Sequence, residues 1–114
     1  MSERVIEVIR PASLPARARG LIAKSVLPER IALHLVPCWC VHTALMKVPI
    51  DVVFLDRRRT VVKVVECLPP WRICGHRSAH SVLEFNAGTL RSLPLRAGDT
   101  VQLLESDPHV AVRH

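Results

Sequence analysis

The segment IDVVFLDRRRTVVKVVE, residues 50–66, carries the clearest signal of the fold in this chain. Its two halves, IDVVFLD at 50–56 and TVVKVVE at 60–66, are rich in the β-branched residues that favour strands. Arg57, Arg58 and Arg59 separate the two halves. Because a short connection between two β-branched runs is typical of a hairpin, we predict two antiparallel strands joined by a charged, solvated turn.

Further short strands are predicted on both sides of this hairpin. Each is a short apolar or alternating run bounded by Pro, Gly or Asn, and the stretch from LPPW at 68–71 to Ser81 is expected to be irregular. The predicted strands are RVIEVIR at 4–10, IALHLV at 31–36, SVLEF at 81–85 and DTVQLLE at 99–105.

One short N-terminal helix is predicted in SLPARARGLIAK, residues 13–24, with Ser13 as its cap and Pro15 in its first turn. About six or seven short strands and one helical segment favour a mainly β fold over a parallel α/β sheet. We therefore expect a small antiparallel β-barrel or sandwich with one short N-terminal helix.

The composition indicates one soluble globular domain, residues 1–114. The chain is 49% hydrophobic and 23% charged, which is ordinary for a folded domain of this length. No apolar run is long enough to span a bilayer, and MSERVIEVIR lacks the apolar core of a signal peptide. We therefore expect a cytoplasmic protein without a transmembrane segment, and the sequence leaves the oligomeric state open.

Sixteen Lys and Arg against ten Asp and Glu give a formal net charge of +6, which favours acidic partners. Only the arginines at 57–59 form a run. The chain has two Trp, two Phe and no Tyr, so it offers few of the aromatic platforms that bind single-stranded nucleic acid. Association with nucleic acid through the arginine run is one of three hypotheses about function.

Three acids end apolar stripes of predicted strands, namely Asp51, Glu66 and Glu84. A buried carboxylate needs a partner, so we expect Asp51 to be partly buried and engaged by an Arg, His or Thr side chain. The three acids could instead accept backbone amide hydrogen bonds or line one pocket. If they form a ligand-binding cluster, its candidate residues are Arg17, His42, Thr43, Asp51, Glu66 and Glu84.

Cys38, Cys40 and His42 alternate, so an extended strand would place them on one face. Neighbours on one strand face lie about 7 Å apart, too far for two thiolates on one zinc. We expect reduced thiols and neither metal nor cofactor. The alternative is a metal site made by Cys38, Cys40, His42 and Cys74.

Four ordered motifs resemble a known family. They are Arg17, Gly20 and Leu21; Met46, Pro49, Ile50 and Asp51; Leu83, Glu84, Ala87 and Gly88; and Gly98 with Asp99. With PCWCVHTALMKVPIDVVFLD at 37–56, they are similar to the bacterial and archaeal domain of unknown function family 192, over roughly residues 5–104, with a short tail at 105–114.

The resemblance implies an all-β fold and no agreed activity. It also implies a protein partner, because members of the family occur beside pilus-assembly and secretion components. We therefore expect a non-enzymatic binding or accessory module. The alternative is a small-molecule or metal-binding protein, conceivably a hydrolase, that uses Asp51, Glu66, Glu84, His42 and the cysteines.

Overall fold

The computed structural model describes residues 3–10, 30–44 and 48–106, and the fold in these ranges is mainly β, as predicted. The predicted helix at 13–24 lies outside the described residues. The described elements are β1 (Glu3–Ile9), β2 (Ile31–Leu35), β3 (Cys40–His42), β4 (Ile50–Leu55), β5 (Val61–Leu68), β6 (Ile73–Gly75), β7 (Ser81–Asn86), α1 (Thr89–Ser92) and β8 (Thr100–Glu105).

The predicted hairpin is confirmed, because β4 and β5 pair in antiparallel fashion. Asp56 closes the turn: its Oδ1 accepts hydrogen bonds from the backbone N–H groups of Arg58 and Thr60, both at 2.9 Å. Arg59 adopts the left-handed conformation, with φ of 62°, and its N–H donates to the carbonyl of Asp56. The side chain and the backbone carbonyl of Asp56 therefore hold the turn, while the three arginine side chains are exposed.

Six strands form one sheet in the order β5-β4-β7-β2-β1-β8. The expectation of a purely antiparallel sheet is wrong, because β1 runs parallel to both β2 and β8. Parallel neighbours cannot be joined by a tight turn, and residues 10–30 separate β1 from β2 in the sequence.

The expected barrel closure is not found. Strands β5 and β8 are the edges of the sheet, and within the described ranges their pairing is an isolated bridge between Thr60 and Thr100. Backbone hydrogen bonds flank this bridge, from Val61 N–H to the Asp99 carbonyl at 2.8 Å and from Val101 N–H to the Arg59 carbonyl at 3.0 Å. The edges thus touch at one point, and the sheet stays open along the rest of their length.

Both faces of the sheet are covered, so every residue of β4 is buried. On the first face, which we call the inner face, Ile6, Val8 and Val53 pack with Leu90 of α1. On the second, the outer face, Val52, Phe54 and Val82 pack with Val41 and Cys74 of a small sheet formed by β3 and β6.

This small sheet corrects the prediction that residues 68–81 are irregular. Strands of three residues are too short to show a periodic pattern, and β3 and β6 form because they pair with each other on the outer face. No helix in the described part of the chain is long and apolar enough to cross a membrane.

Candidate functional site

Asp51 is a buried anchor for three backbone segments. Its side chain is fully buried, and its Oδ1 accepts a hydrogen bond from Cys67 N–H at 2.8 Å. Its Oδ2 accepts from Gly88 N–H at 3.0 Å and from Leu90 N–H at 2.9 Å. The expected burial is found, but the hydrogen-bond donors among the described residues are backbone amides of β5, of α1 and of the residues before α1, instead of an Arg, His or Thr side chain. Asp51 therefore holds loops together.

Thr43 has a similar role in the small sheet. Its Oγ1 donates to the Pro69 carbonyl at 2.7 Å and accepts from Arg72 N–H at 2.8 Å. Its backbone also bonds Arg72 and Trp71. His42 precedes it and is exposed, as is Glu66. Arg17 lies outside the described residues, so its predicted contact with a ligand stays a prediction.

Glu84 points away from Asp51. In the pairing of β4 with β7, Asp51 is opposite Phe85, whereas Glu84 is opposite Val52. Since side chains alternate along a strand, Asp51 lies on the inner face and Glu84 on the outer face. The structure therefore does not bring these two candidate acids into one pocket.

The surroundings of Glu84 are apolar. Burial raises the pKa of its carboxyl to about 7, because the charged form loses hydration there. Glu84 is half-buried, and no hydrogen bond or ion pair joins its carboxyl group to another described residue. Its neighbours in the same cross-strand row are Ile9, Leu33, Val52 and Val65.

Cys38, Cys40, Cys67 and Cys74 are free thiols. Cys38 Sγ donates to the Cys40 carbonyl at 3.2 Å, and burial raises the pKa of the Cys38 thiol. Within the described ranges, no group of three or more His, Cys, Asp or Glu side chains is placed to hold a metal ion. The alternative metal site is therefore not assembled by Cys38, Cys40, His42 and Cys74 in this structure.

A cationic cleft of about 370 Å³ lies between two loops. The first loop is the β4–β5 turn, and the second precedes β7. The second loop is positioned by His80, whose N–H donates to the Leu55 carbonyl at 2.7 Å, and by His76, whose Nδ1 accepts from Ser78 N–H at 3.1 Å. We call this the arginine cleft; it is lined by Asp56, Arg57, Arg58, Arg77, Ser78, Ala79 and His80.

The arginine cleft has an uncompensated positive charge. Asp56 is its one lining acid, and Oδ1 of that carboxylate is engaged by the two backbone N–H groups of the turn. Arg57, Arg58 and Arg77 form no ion pair with any residue of the described ranges. Guanidinium groups bind phosphate and carboxylate oxygens through two parallel hydrogen bonds, so the cleft is suited to an anion.

The sequence identified half of this cleft. The arginine run at 57–59 is visible in the sequence, whereas no sequence pattern connects Arg77 or His80 with it. The two loops are about twenty residues apart in sequence and meet because β4 pairs with β7. No local motif could have shown this.

Comparisons with known proteins identify the fold. A family model described as Uncharacterized ACR matches residues 2–103. A protein of unknown function from Novosphingobium aromaticivorans is similar in structure, with a TM-score of 0.61 at 19% identity, over 80% of this chain and 69% of that one. A proposed transcription regulator from Sinorhizobium meliloti has a TM-score of 0.60 at 22% identity, over 82% and 76% of the two chains. No curated protein matches at a significant level.

Proposed function

The chain belongs to the DUF192 family, whose members are uncharacterised, and we therefore propose its function from its own geometry. We propose a non-enzymatic binding module that holds a small phosphate-bearing ligand in the arginine cleft. One observation carries this proposal: Arg57, Arg58 and Arg77 reach one cleft from two loops, and none of them is neutralised by a described acid.

The size of the cleft supports a small ligand. Pockets for small molecules occupy about 300–1,000 Å³, and the arginine cleft, at about 370 Å³, is at the lower end of that range. Three guanidinium groups favour a ligand with more than one negative charge, and phosphate fits their planar fork. His80 adds an imidazole beside them.

The positions of the acids support a binding role. Asp51 is occupied by three backbone N–H groups, and Glu84 lies on the other face of the sheet. Paired general acid and base catalysis needs two groups that reach the same substrate. These two acids do not provide such a pair, which favours binding over hydrolysis.

Calorimetric titration with pyrophosphate tests the proposal. We expect saturable binding to the unaltered protein and a loss of about tenfold or more in Arg77→Gln, because a charge-assisted hydrogen bond contributes about 1.5–3 kcal/mol. Arg91→Gln is the matched control, since Arg91 is exposed on α1 and does not line the cleft. Absence of saturation, or an equal loss in Arg91→Gln, would contradict the proposal.

Nucleic acid is the competing occupant. The similar protein from Sinorhizobium meliloti is a proposed transcription regulator, and a basic surface attracts any polyanion. A duplex of about 20 base pairs should bind more weakly than pyrophosphate at matched phosphate concentration if the ligand is small. Tighter duplex binding that is lost in Arg77→Gln, with a steep salt dependence, would replace our proposal with nucleic-acid association.

A protein partner in pilus assembly or secretion, implied by the family resemblance, stays a prediction. One observation favours a protein contact: the large apolar side chains of Trp39, Trp71 and Ile73 are exposed beside or on the small sheet. Replacing both tryptophans by serine should then weaken binding to a purified candidate partner without changing pyrophosphate binding. An unaltered affinity for every candidate would remove this second function.

A further inference from the structure

His34 of β2 is a buried histidine whose ring has no hydrogen-bond partner. The residue is 2% exposed, and neither Nδ1 nor Nε2 is bonded within the described part of the chain. Buried polar groups in folded proteins are nearly always hydrogen-bonded, so each exception needs an explanation. A small apolar residue would pack here without this penalty.

Arg10 is beside His34 and also has a buried nitrogen without a hydrogen-bond partner among the described residues. Ile9 pairs with Leu33, so Arg10 and His34 follow at equivalent positions of neighbouring parallel strands. Alternation places both on the inner face, one pleat beyond Val8. The Nε of Arg10 is buried and has no hydrogen-bond acceptor among the described residues. Two neighbouring side chains therefore present unused donors to the same region.

Glu105 of β8 lies beside Arg10. It pairs with Val8 across β1 and β8, and its Oε1 lies 3.7 Å from Arg10 Nε. The two side chains therefore form an ion pair, at a distance too long for a hydrogen bond. The side chains of Arg10 and Glu105 are 43% and 57% exposed, so solvent reaches this pair. His34 is buried on the neighbouring strand.

The local potential is positive. Burial, followed by the charges of Arg59 and Arg10, lowers the pKa of His34 to about 4, while Glu105 opposes this effect and His80 adds to it. The ring is therefore neutral at physiological pH, with one N–H donor available. Arg59 is the last residue of the arginine run and belongs to the β4–β5 turn.

We propose that Arg10, His34 and Arg59 form a second anion site, separate from the arginine cleft, which takes a small oxyanion. The bound oxyanion accepts hydrogen bonds from Arg10 Nε and from the His34 ring, and Arg59 supplies a second positive charge. Glu105 is a built-in competitor, because its carboxylate stands near the same guanidinium and moves aside on binding. This site does not depend on the function proposed for the arginine cleft.

Ring nitrogen signals of His34 in ¹⁵N NMR provide the test, with inorganic phosphate and acetate as separate probes. We expect phosphate to shift these signals and to raise the pKa of His34, since a bound negative charge favours the protonated ring. If phosphate shifts the His34 signals at a lower concentration than acetate does, the ligand carries a phosphoryl group. If acetate acts at the lower concentration, the ligand carries a carboxylate.

Three variants decide the assignment. Arg10→Gln should weaken the effect at least tenfold, and Glu105→Gln should strengthen it severalfold because the competing carboxylate is gone. Arg77→Gln, in the arginine cleft, should leave the His34 response unchanged. The second site is refuted if neither probe moves the His34 signals, or if Arg77→Gln abolishes the response while Arg10→Gln does not. Pyrophosphate binding in the arginine cleft would survive that result, so the two proposals fail separately.

Discussion

Asp51 and Glu84 lie on opposite faces of one sheet, although the strands that carry them are hydrogen-bonded neighbours. Asp51 is opposite Phe85, and Glu84 is opposite Val52, so one step in the register separates them. The inward carboxylate of Asp51 accepts three backbone hydrogen bonds, whereas the outward carboxyl of Glu84 lies among apolar side chains. Two acids that both lie in apolar strands therefore differ in hydrogen bonding: the carboxylate of Asp51 is bonded to backbone N–H groups, and the carboxyl of Glu84 is surrounded by apolar side chains.

Replacing Asp51 with Asn should destabilise the protein by about 2–3 kcal/mol. The amide keeps the size of the side chain but replaces one acceptor oxygen with a donor, which leaves buried N–H groups unpaired. Denaturation in urea measures this loss. Glu66→Gln is the control, because Glu66 is exposed and its replacement should change the free energy of unfolding by no more than about 0.5 kcal/mol. Equal effects of the two changes would contradict the anchoring role.

Glu84 should make the stability fall as pH rises. Its pKa in the folded protein is about 7, above the ordinary value of 4.5, so the folded state holds the proton more tightly than the unfolded state between these values. The stabilisation is complete below about pH 4.5 and is lost as the pH rises through 7.

Unfolding free energies of the unaltered protein and of Glu84→Gln, compared at pH 5 and pH 8, check this sign. The glutamine cannot ionise, so the variant should lose less stability between the two pH values. His34 titrates in both proteins and cancels from the difference. A larger loss in the variant would show that Glu84 is stabilised as an anion.

Gly75→Ala should weaken the small sheet. A Cβ at this position would lie 2.9 Å from the Trp39 carbonyl oxygen and 3.2 Å from Cys40 Cβ, so the backbone of β3 must shift. Overpacking of this kind costs about 1–3 kcal/mol. Hydrogen exchange of the backbone amides in β3 and β6 should accelerate more than that of the amides in β4. Unchanged exchange would mean that the small sheet accommodates the added methyl group, which would contradict this prediction.

The β4–β5 turn should depend on Asp56 and not on its arginines. Replacing Arg57, Arg58 and Arg59 by serine should change the free energy of unfolding by a few tenths of a kcal/mol, since their side chains are exposed. Asp56→Ala removes the acceptor for two turn N–H groups and should cost about 1–2 kcal/mol. Thermal unfolding should show a larger loss of stability in Asp56→Ala than in the triple serine variant. The reverse order would contradict the role assigned to Asp56.

Local sequence pattern was sufficient to predict the six strands of the large sheet. The β4–β5 hairpin could be predicted because its β-branched runs and its turn are adjacent in sequence, and the same holds for β1, β2, β7 and β8 within a residue or two. Strands β3 and β6, with three residues each, lack any readable period and depend on their mutual pairing. The sequence identified Asp51 and Glu84 as candidate acids, but it did not show that they lie on opposite faces of the sheet.

The amino-acid sequence was enough to identify the family, the mainly β composition and the charged turn, because these depend on residue types and on contacts between near neighbours. The folded structure was needed to place β1 parallel between β2 and β8, to bring Arg77 to Arg57 and Arg58, and to set Arg10 beside His34. Strand register explains this difference: pairing of distant strands selects which side chains meet, and a shift of one residue would turn each of them to the other face.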